Sequence, residues 1–303
     1  MQQTIQYLQP EIVSQISTME LRAKLVVEGF ITGMHKSPYH GFSVEFAEHR
    51  QYMVGDEIRR IDWKVYGKTN RYYIKQYEEE TNLKSYIILD TSASMSFSSE
   101  ISKGKKRISK LQYASYLAAA LSYLMIQQRD AVGLTLYDEK IRTTIPPHAT
   151  KLHLRKILSE LENAMPSNNT SIGKNLHIIA EQIHRRGLVI IMSDFFDDVE
   201  TITSALQHFR HNNNEVLVMQ ILDPLERTFA FGSDAVFKDM ETGETITTQP
   251  YHLQKEYQKA MQQFVERYKL RCREMKIDYL LLDTSTSYDV ALLNYLMKRK
   301  KMR

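Results

Sequence analysis

"YIILDTSASMSF", residues 86–97, sets an apolar run directly against an aspartate, with serines two and four places further on. The run reads as a strand buried on both faces, the type found in parallel sheets. If the following loop stays extended, side chains alternate with period two and Asp90, Ser92 and Ser94 present three oxygens to one side. Carboxylates and hydroxyls are the ligands that hard divalent cations take. The stretch therefore poses both a fold and a site.

Outward from it, short β-rich runs alternate with helical stretches. A helix is predicted near residues 110–128, "KLQYASYLAAALSYLMIQQ", apolar on most faces. "AVGLTLY" and "IRTTIP" are separated only by residues 138–140, too short for a parallel crossover, so they form an antiparallel hairpin. Helices are expected near 151–163 and 172–185, then the buried strand "GLVIIMSD", a helix near 199–210 and the strand "EVLVMQIL". A small hairpin turning at residues 242–243, a long helix near 254–275, the strand "DYLLLD" and a helix near 288–299 follow. The fold class is α/β: a doubly wound, mostly parallel six-stranded sheet with one antiparallel edge strand. Residues 83–303 form this domain. Residues 1–82 read as an N-terminal α+β extension packed on it, with a helix near 17–33 and Trp63, the only tryptophan, as its anchor to the core.

The 303 residues, 43% hydrophobic and 25% charged, suffice for a sizeable core and exclude a disordered or fibrous chain. A single cysteine, Cys272, forms no intrachain disulfide, which fits a reducing compartment. No leader pattern and no apolar run long enough to span a bilayer is visible, and a cytoplasmic location is expected. The net charge of +4 is concentrated in "KGKKR" (103–107) and in the terminal "KRKKMR". These read as a solvated loop and as cations suited to a helix C-terminus. Peripheral contact with an anionic membrane through the tail is the alternative.

In a doubly wound sheet, ligands bind beyond the carboxyl ends of the strands where the connections reverse direction. That point lies between the strand ending at Asp90 and the one ending at Asp194, with Thr170 or Ser171 of "NNTSIG" arriving from the connection before it. The pattern D-x-S-x-S recurs at Asp283–Ser287, three strands away, where Thr286 and Asp289 fit a capping box for the last helix. One of Asp197 and Asp198 is expected to cap a helix. Phe195 and Phe196 form either an apolar rim or part of the core.

Asp90-Thr-Ser92-Ala-Ser94-Met95, a later threonine (Thr170) and Ser193-Asp194 resemble the metal-ion-dependent adhesion site of von Willebrand factor type A domains. "EFAEHRQYMVGDEIRRIDWKVYGKTNRYYIKQYEEET", residues 45–81, resembles the segment that introduces such a domain in the bacterial domain-of-unknown-function family 58. The resemblance implies Mg²⁺, or Mn²⁺ or Ca²⁺, held by Asp90, Ser92, Ser94, Thr170 and Asp194. It also implies a protein partner that offers an acidic side chain, and a MoxR-type AAA+ ATPase working beside the chain in assembly or chaperone-like activation. Arg59 and Arg60, with Phe195 and Phe196, are candidate partner contacts. The charges of the 55–63 run also suit pairing within the fold.

Enzymatic readings fare worse. A phosphatase using Asp90 as nucleophile would carry a second aspartate two residues on, and Ser92 stands there. G-x-x-x-x-G-K-[ST], G-x-S-x-G, H-E-x-x-H and C-x-x-C are absent. A nucleic-acid binder rests only on the pI of 8.8 and the basic tail, and no nucleic acid is expected.

Overall fold

In the computed structural model, six strands form one sheet: β1 Lys84–Asp90, β2 Ala131–Tyr137, β3 Ile141–His148, β4 Leu188–Ser193, β5 Glu215–Leu222 and β6 Asp278–Asp283. The structure describes residues 10–35, 50–52, 63–74, 83–102, 105–166, 172–231, 235–238, 245–248 and 250–302. The strand order is β6-β5-β4-β1-β2-β3, with every pairing parallel except β2 with β3. The doubly wound sheet with one antiparallel edge strand is as the sequence predicts. β3 is the edge whose Pro146 and Pro147 withhold donors from further pairing.

Alternation along the strands divides the core in two. Ile87, Leu89, Ile190, Met192, Leu217 and Met219 face one layer, while Ile88, Val189, Ile191, Val216 and Val218 face the other. Helices on both faces explain why these strands read as continuous apolar runs. The first layer holds α1 Met19–His35, α2 Lys110–Gln127, α3 Lys151–Glu162 and, after β6, Tyr288–Met302. The second holds α4 Ile172–Gln182, α5 Val199–His211 and the long helix Pro250–Glu274. These last two helices in chain order are α7, Pro250–Glu274, and α8, Tyr288–Met302; α6 is the short Pro224–Thr228.

Helix α2 lies between the sheet and α1, whose Ala23, Val26, Val27 and Phe30 are buried with it. Fifteen of its eighteen residues are buried, so its lack of a polar face follows from being covered on nearly all sides. It starts at Ser109, whose hydroxyl accepts from Gln112 N–H while the Gln112 side chain accepts from Ser109 N–H, a reciprocal capping box.

Three expectations require correction. Trp63 opens a short helix, Trp63–Thr69, and is 58% exposed against Tyr66, so it does not anchor the extension; the buried residues of α1 do that. Thr286 does not cap α8, which begins at Tyr288. Its hydroxyl turns back to Asp283, accepting from that residue's backbone N–H and donating to its carboxylate. The loop after Asp90 is not extended throughout, because Ala93–Ser96 forms a 3₁₀ turn. Ala235–Lys238 pairs with Thr245–Thr248 as a hairpin, while its turn, together with Arg59, Arg60, Thr170 and Ser171, lies outside the described residues.

Candidate functional site: the carboxyl edge of the sheet

Five strands run toward one edge, and each ends in, or is followed by, an aspartate. Asp90, Asp138, Asp194, Asp223 and Asp283 use one carboxylate oxygen in the same way. Each accepts from the backbone N–H two residues on: Ser92 at 2.9 Å, Lys140 at 3.1 Å, Phe196 at 3.2 Å, Leu225 at 2.8 Å and Ser285 at 3.0 Å. Aspartate suits this position because its short side chain replaces the ladder acceptor that the departing N–H has lost.

The second oxygen distinguishes the five. Arg142 meets Asp138 at 2.5 Å, Lys110 meets Asp194 at 2.8 Å and Arg227 meets Asp283 at 2.7 Å. Asp223 accepts from Ser99 N–H at 3.0 Å and, more weakly, from Thr284. The second oxygen of Asp90 accepts from the Ser193 hydroxyl, at 2.6 Å, and from no cationic side chain among the described residues. No salt bridge reaches Asp90 or Asp223 among the described residues. Arg227 thus explains why the second D-x-S-x-S motif differs from the first: its carboxylate already has a cation.

Asp90 and Asp194 come together as the topology predicts, because β1 and β4 are neighbours with Leu89 opposite Met192. Both are fully buried. Burial first, and the charge of Asp194 second, raise the Asp90 pKa from 3.8 to about 7, against the opposing pull of its bonds from Ser193 and Ser92. Ser92 and Ser94 hydroxyls lie 3.0 Å apart, brought together by the 3₁₀ turn. Thr91 points away and bonds the Tyr137 carbonyl through both its N–H and its hydroxyl, fixing the start of the loop on β2. Beside Asp90 and Ser193, the Tyr137 hydroxyl is buried with no well-formed hydrogen bond among the described residues, Ser193 being near enough only to temper its pKa, which burial first and the charge of Asp90 second hold well above 10.

The sequence reading did not include Lys110. It is the first residue of α2, fully buried, with its ammonium 2.8 Å from Asp194 and 2.6 Å from Glu226 of α6. Burial alone would lower its pKa, but the two carboxylates raise it, so it stays charged. The Phe196 ring covers it at 4.9 Å. Glu226 is held in turn by a capping box with Asp223 that opens α6. The D-P-L-E run at 223–226 carries the sequence signal for that box, whereas nothing in the local pattern of Lys110 marks it as more than the start of a helix.

Phe195 and Phe196 separate. Phe195, at a left-handed φ of 59°, turns fully into the core beside Tyr268. Phe196 is 38% exposed and stacks on Phe264 of α7. Asp198 caps α5 by accepting from Thr201 N–H, as expected of one member of the pair, and Asp197 accepts from Ile172 N–H at the start of α4.

Among the described residues, no three His, Cys, Asp or Glu side chains converge as a metal cluster, so the donors are two carboxylates and the hydroxyls. Adjacent ligands of an octahedral Mg²⁺ with bonds of about 2.1 Å stand roughly 3.0 Å apart. Ser92 and Ser94 hydroxyls have that separation. The buried Asp90, with no cationic side chain on it among the described residues, and the poorly bonded Tyr137 hydroxyl also suit a polar occupant. The residues fit.

Comparison with known proteins places the chain. An uncharacterized protein of Mycobacterium tuberculosis, Rv1480, is 26% identical over 242 residues, 77% of this chain and 72% of its own length. An uncharacterized Mycobacterium bovis protein, Mb1516, matches to the same extent. The solved structure of BatB, a conserved hypothetical protein of Bacteroides thetaiotaomicron, superposes with a TM-score of 0.50 at 18% identity, covering 73% of this chain and 98% of that one. A VWA domain, that of SpRpn10, covers 71% of this chain at a TM-score of 0.44 and 11% identity, too loose a match for further argument. Among the described residues no helix is long and apolar enough to cross a membrane. The doubly wound α/β fold is thus shared with BatB, and the family model "Protein of unknown function DUF58" matches residues 48–267, so the chain belongs to that family.

Proposed function

We propose that the protein is a metal-dependent protein-binding adaptor, not an enzyme, and that it takes an acidic side chain of a partner at the Asp90 edge. The observation that carries this reading is the state of Asp90. It is fully buried beside Asp194, its pKa is raised to about 7, and among the described residues it has no salt bridge where three of the other strand-end aspartates have one. A buried carboxylate in that state gains from a cation.

Asp90, Ser92 and Ser94 would hold Mg²⁺, with Asp194 beside them and Thr170, from its sequence position, completing the set. When bound, the ion supplies positive charge that attracts an incoming carboxylate. The protein's own groups do the remaining work. Ser193 fixes the Asp90 carboxylate, and the N–H groups of Ser92 and Phe196 fix the orientation of Asp90 and Asp194. Lys110 donates to Asp194 and holds its carboxylate in place. Phe196, half-exposed on the rim, is placed to contact whatever flanks the partner's acid. A MoxR-type AAA+ ATPase is the partner class we assign, on the family resemblance, in the cytoplasm; the buried, unpaired Cys272 suits that compartment.

The test is co-purification of the chain with the MoxR-type ATPase of the same cell, in Mg²⁺ and in EDTA. Retention that needs Mg²⁺ and is lost in Asp90→Ala supports the reading. Retention indifferent to both metal and substitution overturns it.

A further inference from the structure

Lys110 occupies an expensive position. A cation in the first turn of a helix opposes the helix dipole, and a fully buried ammonium loses its hydration. Neither α2 nor the core needs a charge there. What the side chain meets instead is Asp194 on one side and Glu226 on the other, with the Phe196 ring over it. Two carboxylates, Asp194 and Glu226, share this one ammonium, and Asp194 in turn stands beside Asp90. Lys110 serves Asp194 and Glu226, and among the described residues no salt bridge reaches Asp90.

We infer that Lys110 is a built-in counter-ion of the site, which holds Asp194 in place when no divalent cation is bound and sets how tightly one binds. The inference rests on the cation reading above and goes beyond it. A fixed positive charge bonded to one of the two carboxylates repels an incoming cation and occupies the Asp194 oxygen facing it. The same charge lets the pocket stay folded while empty. Glu226 tunes the effect, because it draws the ammonium away from Asp194. The short helix α6, which carries Glu226, thereby connects to cation affinity without touching the cation.

The experiment uses the full chain and Mn²⁺ or Mg²⁺ alone as probe, measured by titration calorimetry and by thermal unfolding in EDTA and in saturating metal. Lys110→Met removes the charge and keeps the length. It is expected to tighten cation binding on the order of tenfold and to make the unfolding midpoint strongly metal-dependent: low in EDTA and restored by Mg²⁺. Glu226→Gln, in which the ammonium rests on Asp194 alone, is expected to weaken cation binding severalfold, and it carries the test if Lys110→Met does not fold. A lysine that merely joins elements would lower the midpoint of Lys110→Met equally with and without metal and leave the cation Kd unchanged, which overturns the inference while leaving the metal reading intact. Absence of cation binding in wild type and both variants overturns both.

Discussion

Asp90 ties the stability of the metal-free protein to pH, and the sign follows from its pKa. The carboxyl titrates near 3.8 in the unfolded chain and at about 7 in the fold, chiefly because it is buried and secondly because Asp194 stands beside it. Between those values the folded protein retains a proton that the unfolded chain has released, so stability falls as pH rises through this window. The difference of about 3 units corresponds to roughly 4 kcal/mol at its fullest. Nearly all of it should be lost by pH 8, and nearly none at pH 4. Asp90→Asn keeps an oxygen for Ser92 N–H and cannot ionise. Urea unfolding of wild type and Asp90→Asn in EDTA, at half-unit steps from pH 4.5 to 8, separates this group from the histidines that both proteins share. The variant should be the more stable at pH 8 by a few kcal/mol, with the difference shrinking toward pH 4.5. Added Mg²⁺ should recover wild-type stability at pH 8 and leave the variant unmoved. A wild-type minus variant difference that is flat across the range would refute the reasoning.

Three further outcomes are expected. Asp194→Ala leaves Lys110 buried with Glu226 as its remaining acidic partner, and should cost about 3–5 kcal/mol in chemical denaturation, more than Asp194→Asn, which keeps an acceptor. Leu117→Ala opens a cavity in α2 where the helix is enclosed, and should cost about 2–5 kcal/mol by the same assay. Trp63→Ala, by contrast, removes an exposed ring and should change stability by no more than about 0.5 kcal/mol, a result that would separate it from the buried residues of α1.

Much of the fold was legible because buried parallel strands announce themselves. "YIILD", "LVIIMS" and "EVLVMQIL" are apolar on both faces, and the brevity of residues 138–140 dictates the antiparallel pair. From the order of connections, the meeting of Asp90 and Asp194 could be read without coordinates. Side-chain partners at long range could not. Lys110 lies 84 residues from Asp194 and 116 from Glu226, and no local periodicity encodes that encounter. The same holds for Arg227 at Asp283, which turns an identical D-x-S-x-S string into a neutralised turn. Trp63 misled for a related reason: size and hydrophobicity favour burial, but burial is decided by what packs nearby. Thr286 misled because a strand-end aspartate offered its hydroxyl a nearer partner than the helix did.

Cation titration of the purified, metal-stripped chain beside Asp90→Ala is the most direct test of the central claim. One Mg²⁺ or Mn²⁺ bound per wild-type chain, with protons released on binding near pH 7, and no binding by a folded Asp90→Ala, is the predicted result. Equal binding by the two proteins, or none by either, would contradict a cation site built on Asp90.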